Sequence, residues 1–218
     1  MNNQSAPDAM DPRERLKALM RGLKGLRTCL LFLAVCVPSL ATLPGAAGQG
    51  KPTKTPAEAA AAYFPNTVLL TQDNKPVHFF DDLLKGKTVM INFMFTTCTG
   101  ACPAMTANLL KVQEYLGDRV GKDINMISIS VDPTVDTPSA LKKYATNFKA
   151  KAGWYFLTGN KADVDVVLRK LGGFVENKNE HLNLLLIGNV ETGDWMKVFA
   201  MAKPAEIVDS VLKVAGSK

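Results

Sequence analysis

Two mostly apolar runs, residues 88–95 and 124–131, with a helix-period segment between them, restrict the fold more than any other feature of this chain. Each is long enough to cross a sheet and lacks the strict alternation of a strand with one wet face, so both read as strands buried on two sides. Between them Met105, Leu109, Val112 and Leu116 fall on one helical face. A buried strand, a helix and a second buried strand form the parallel crossover unit, which requires helices packed on the sheet.

The flanking elements extend this unit. Residues 68–70 and 77–79 read as a small hairpin around Asp73-Asn74, and Thr137-Pro138 as the N-cap and first turn of a helix that runs to about Phe148. A short strand follows at 154–157, then a helix at 162–171 ended by Gly172-Gly173, an antiparallel pair at 182–187 and 195–201, and a closing helix at 204–214. This order predicts an α/β fold, a thioredoxin-like three-layer sandwich with an added N-terminal β-hairpin, spanning residues 67–218.

Ahead of this unit, residues 29–43 are apolar and uncharged, follow a basic stretch from Arg13 to Arg27, and lead into Pro44-Gly45-Ala46-Ala47-Gly48. That is the pattern of an export signal, with Ser39-Leu40-Ala41 or Gly45-Ala46-Ala47 as cleavage contexts. An uncleaved membrane anchor is the alternative for residues 1–48. The protein is then expected to be exported and periplasmic, soluble or held to the inner membrane by this segment. Residues 49–66, rich in Lys, Pro, Thr and Ala, read as a flexible tether. The formal charge of +6 is inflated by this N-terminus: residues 1–28 hold six bases and three acids, leaving 20 bases and 17 acids over the other 190 residues. So small and scattered an excess argues against a nucleic-acid partner. Nothing in the sequence signals an oligomer, and a monomer is the default expectation.

Four cysteines exclude a disulfide scaffold. Two of them, Cys98 and Cys102, lie where the strand at 88–95 ends and the next helix begins, the edge of an open sheet at which sites are built. Pro103 suits a first helical turn, so Cys102 sits at or beside the N-cap, where unpaired N–H groups and the helix dipole favour thiolate. The pair can hold a metal, act as a redox couple, form a structural bridge across a small loop, or stay inert. His181 precedes the apolar strand at 182–187, and in a thioredoxin-like sandwich the loop entering this strand faces the cysteine loop. Two thiolates and an imidazole are a soft set that suits copper, Cu(I) above all, while Zn²⁺ would want a fourth ligand. His78, on the early hairpin, reads as structural, and Met94 and Met105 as core. Asp132 and Asp136 follow the second buried strand at the same sheet edge; they read either as turn and cap residues or as carboxylates serving the site.

Together these residues resemble the SCO/SenC family of copper chaperones and thiol-disulfide proteins. The resemblance covers about Thr67 to Val214 and rests on the segment from Asn92 through Cys98 and Cys102 to Pro103, on Val131-Asp132-Pro133 with Asp136-Thr137-Pro138, and on His181 before its strand. It implies one copper ion bound by Cys98, Cys102 and His181, with Asp132 and Asp136 as the family's acidic loop. It further implies a role at the binuclear copper site of cytochrome c oxidase, by copper delivery to that subunit or reduction of its cysteines, and a thiol-disulfide reductant as second partner. The chain departs from the family pattern at Thr99, where Pro is usual, and in Lys178-Asn179-Glu180 before His181. A general thiol-disulfide oxidoreductase and a copper or redox sensor are the competing readings. Against the former, no Pro occurs between Pro138 and Pro204, where a thioredoxin-like reductase carries one opposite its cysteines.

Overall fold

The computed structural model describes residues 54–216, so the reading of residues 1–48 as signal or anchor lies outside them. A single seven-stranded sheet organises the described residues, in the order β2-β1-β5-β4-β3-β6-β7. Its strands are β1 (Val68–Thr71), β2 (Pro76–His78), β3 (Thr88–Met94), β4 (Ile124–Ser130), β5 (Trp154–Thr158), β6 (Leu184–Asn189) and β7 (Asp194–Phe199). The crossover unit is as expected: β3 and β4 pair in parallel from Thr88↔Ile124 to Met94↔Ser130, and every residue of both is buried. β5 joins β4 in parallel, while β6 runs antiparallel to β3 and the β1/β2 hairpin antiparallel to β5.

The helices are α1 (Pro56–Tyr63), α2 (Ala101–Leu116), α3 (Pro138–Asn147), α4 (Lys161–Leu171) and α5 (Pro204–Ala215). Alternation along β3 divides them into two layers. Met90 and Met94 face a core built with Met105, Leu109 and Val112 of α2, Leu141 of α3 and Ile207 and Val211 of α5. Val89, Ile91 and Phe93 face the other, with Val164, Val167 and Leu168 of α4 and the π-helical turn Phe79–Leu84. Met94 and Met105 are both fully buried, in keeping with a core role.

Residues 49–66 were expected to be a tether, yet α1 forms within them and packs on the domain. Its start is a complete capping box, Thr55 Oγ1 accepting from Glu58 N at 3.2 Å and Glu58 Oε2 from Thr55 N at 2.8 Å, with Pro56 in the first turn. Phe64 then lies 5.0 Å, centroid to centroid, from Trp195 of β7, and the Tyr63 hydroxyl donates to Lys170 O at 3.2 Å. Among the described residues no helix is long and apolar enough to cross a membrane.

Candidate functional site

Strand β3 delivers the cysteine loop to the carboxyl edge of the sheet, and α2 begins inside it. Gly100 is the N-cap, so Cys102 occupies the second helical position, one residue further in than at or beside the N-cap, where the sequence places it. Both thiols are free; Cys102 is buried and Cys98 half-buried. His181 arrives from the far side on the short 3₁₀ turn Lys178–Glu180, and its Nε2 stands 3.3 Å from Cys102 Sγ.

The imidazole is held in one tautomer. Its Nδ1 lies 2.9 Å from the Lys178 carbonyl, which can only accept, so Nδ1 carries the proton and Nε2 presents its lone pair to the sulfur. The edge-on Phe95 ring, 5.5 Å away by centroids, packs the other side. A donor capped at Nδ1 and open at Nε2 is the arrangement that metal-binding histidines use. Among the described residues no three His, Cys, Asp or Glu side chains are already gathered tightly enough to enclose a metal ion. The structure therefore brings Cys102 and His181 into contact and leaves Cys98 beside them.

The electrostatics reverse one expectation. Position at a helix start predicts a thiolate at Cys102, but burial, and after it the neighbouring Cys98 thiol, push the Cys102 thiol up to about 12 against opposing backbone hydrogen bonds at Phe95 and Cys102. At neutral pH Cys102 is thus protonated and inaccessible, while Cys98 is the sulfur that solvent reaches. In the reduced protein, iodoacetamide is expected to label Cys98 well before Cys102, as peptide mass spectrometry at timed quenches would show. Equal rates at the two positions would contradict this arrangement.

The acidic loop after β4 takes on two separate tasks. Asp136 is fully buried and accepts from Thr96 N at 3.1 Å, from the Thr96 hydroxyl, and from Ser130 Oγ at 2.6 Å, which ties the approach to Cys98 onto β4. Asp132 instead pairs with Lys178 at 2.6 Å, on the histidine side. Thr137, not either aspartate, caps α3, through Ala140 N at 3.2 Å. His78 ends the edge strand β2, four strands across the sheet from β3, with its backbone N donating to Asp82. Lys178 and Thr96 are the residues to which the sequence assigns no role in the site. Asn177 and Glu180, three apart like a capping box, were the one local signal of the turn that carries Lys178.

Residues 56–207 match the family model described as SCO1/SenC. The chain belongs to the SCO1/SenC family. Among curated SCO relatives, the SCO1 protein homolog of Bacillus subtilis (strain 168) is 36% identical over 141 residues, 64% of this chain and 65% of its own length, just under two thirds of that relative. Among solved structures, BsSco, described as a member of the Sco family of cytochrome c oxidase assembly proteins with a disulfide switch, shares 27% identity at a TM-score of 0.58, covering 69% of this chain and 92% of that one. Bradyrhizobium japonicum ScoI, solved with copper bound, shares 26% identity at a TM-score of 0.57, over 68% of this chain and 96% of that one. The thioredoxin-like sandwich of this SCO1/SenC chain is thus the family's fold.

Proposed function

We propose that this protein is an exported SCO1/SenC copper carrier whose reduced Cys98 and Cys102, with His181, take up one copper ion and serve the binuclear copper site of cytochrome c oxidase. The observation that carries the reading is the 3.3 Å contact of Cys102 Sγ with a His181 Nε2 whose partner nitrogen is already capped. A soft thiol and a lone-pair imidazole are the right donors for Cu(I). Cys98, the more accessible sulfur, turns in to complete the set, and Cys102 gives up its proton on binding. Copper is cargo here. A site at the open edge of the sheet lets an acceptor's thiolates replace the ligands in turn. The membership of BsSco in a family of cytochrome c oxidase assembly proteins and the copper-bound ScoI structure support this role.

The unequal exposure of the two sulfurs supports a second use of the same pair. Cys98 attacks a disulfide of the oxidase subunit, displacing one thiol, and Cys102 then attacks the mixed disulfide, releasing the second thiol and leaving a Cys98–Cys102 bridge. The two protons pass to the released thiolates, and an external thiol reductant resets the pair. Residues 29–43 are read as the segment that exports or anchors the chain on the periplasmic side.

Anaerobic titration of the reduced protein with Cu(I), beside His181→Ala, tests the first reading. One equivalent bound tightly, and weakened more than about tenfold by the substitution, is expected. Absence of tight binding together with a readily exchanging disulfide would leave a thiol-disulfide oxidoreductase. Equal affinity in the two proteins would remove His181 from the site.

A further inference from the structure

We propose that Lys178 is a positioning residue for His181, acting as a clasp that joins the histidine turn, the acidic loop and the cysteine loop; the inference rests on the copper reading above for its consequence but not for its geometry. The Lys178 carbonyl is what selects the His181 tautomer, at 2.9 Å from Nδ1, and it also accepts from His181 N at 3.4 Å. That carbonyl belongs to a three-residue 3₁₀ turn with no buried residue of its own. A turn so short has poor hydrogen-bond geometry and cannot hold a carbonyl in place unaided.

The Lys178 side chain supplies the missing support. Its Nζ pairs with Asp132 Oδ2 at 2.6 Å, the carboxylate side chain being only 12% exposed, and lies 5.0 Å from the centroid of the Phe95 ring. Both partners are themselves fixed. Thr134 Oγ1 donates to Asp132 Oδ1 at 3.0 Å, and Asp132 N donates to Ser130 Oγ at 3.0 Å, the same hydroxyl that donates to Asp136. Phe95 is buried, its carbonyl accepts from Cys98 N at 3.2 Å, and its ring packs against the imidazole. The bonds thus close into a ring: His181 to Lys178, Lys178 to Asp132 and Phe95, Asp132 through Ser130 to Asp136, and Asp136 through Thr96 back to the cysteine loop. An exposed lysine pair contributes little by itself. This one sets the orientation of a donor atom, which is a different role from stability.

The test compares wild type with Lys178→Met, which keeps the stem and removes the charge, Lys178→Arg, Asp132→Asn and the Lys178→Met/Asp132→Asn double variant. Two readouts are taken: the imidazole ¹⁵N shifts of His181 in the reduced, metal-free protein, and Cu(I) affinity by chelator competition. Wild type should show the single Nδ1-protonated tautomer. Lys178→Met and Asp132→Asn should each show a mixture of tautomers and bind Cu(I) about tenfold more weakly, as loss of a group behind a ligand does. Lys178→Arg should restore most of both, and the double variant should be no worse than either single one, because one link is removed in each. A single tautomer in Lys178→Met, with affinity within twofold of wild type and only a lower melting temperature, would overturn the proposal. Should His181→Ala bind Cu(I) as tightly as wild type, the copper reading fails instead, and the tautomer readout still decides the role of Lys178.

Discussion

Cys102→Ser is expected to lose tight Cu(I) binding while keeping the fold. The hydroxyl is a hard donor that does not ionise in this range, and soft Cu(I) gains little from it. The loss should therefore exceed the 10–100-fold that removal of a group behind a ligand costs. Folding should survive, because a serine hydroxyl at this position still faces His181 Nε2, now 3.3 Å from the sulfur, and so keeps a hydrogen-bond partner inside the buried site. The pH dependence separates the two effects further. Wild-type Cys102 binds copper only after losing a proton held by a thiol pushed up to about 12, so this one thiol should contribute up to about tenfold per pH unit to the rise of copper affinity with pH, and the slope should drop by that one proton in Cys102→Ser. Stability runs the other way. The folded thiol ionises later than the ordinary value of 9.0, so its contribution is complete below about pH 9 and is lost as pH climbs toward 12. Chelator competition at pH 7 and 8, with thermal melts across the alkaline range, measures both. A Cys102→Ser protein with wild-type affinity would sink the ligand assignment.

Local pattern and distant contact were legible in the sequence to very different degrees. The run at 88–95 becomes β3 because its residues suit a strand buried on both faces, and Thr137-Pro138 becomes the start of α3 because capping is decided within four residues. The thiolate expected at Cys102 failed for the opposite reason. A helix start can be read from Gly100 to Pro103, but the burial that outweighs it comes from packing against elements far along the chain. α1 was missed although its capping box stands in Thr55 to Glu58, since an Ala-rich stretch between prolines reads as a tether until Phe64 is known to meet Trp195. Within the site, Cys98, Cys102 and His181 could be singled out by chemistry alone. The pairs Lys178 with Asp132 and Thr96 with Asp136 join positions 46 and 40 residues apart, and no local spacing announces them.

Asp136→Ala should be the most destabilising change in the acidic loop. The carboxylate is fully buried and takes hydrogen bonds from Thr96 N, the Thr96 hydroxyl and Ser130 Oγ, so its removal leaves the buried Ser130 hydroxyl and the two partly buried Thr96 donors without their acceptor. Each stranded group costs about 1–3 kcal/mol, and a total of roughly 3 kcal/mol or more corresponds to a melting temperature lower by about 6–12 °C in a domain of this size. Asp136→Asn keeps the volume and one acceptor oxygen, and should fall between alanine and wild type. Asp132→Ala should be milder, since Asp132 is partly exposed and its ion pair reaches solvent through Lys178. The decisive comparison is Asp136→Ala in a Ser130→Ala background. Because the aspartate and the serine share one bond, their effects should be less than additive, whereas additive melting shifts would mean that Asp136 stabilises the loop by some route other than the bonds it accepts. Copper affinity should fall in parallel, since Thr96 is two residues from Cys98 and the slackened loop no longer holds the more exposed sulfur beside Cys102 and His181.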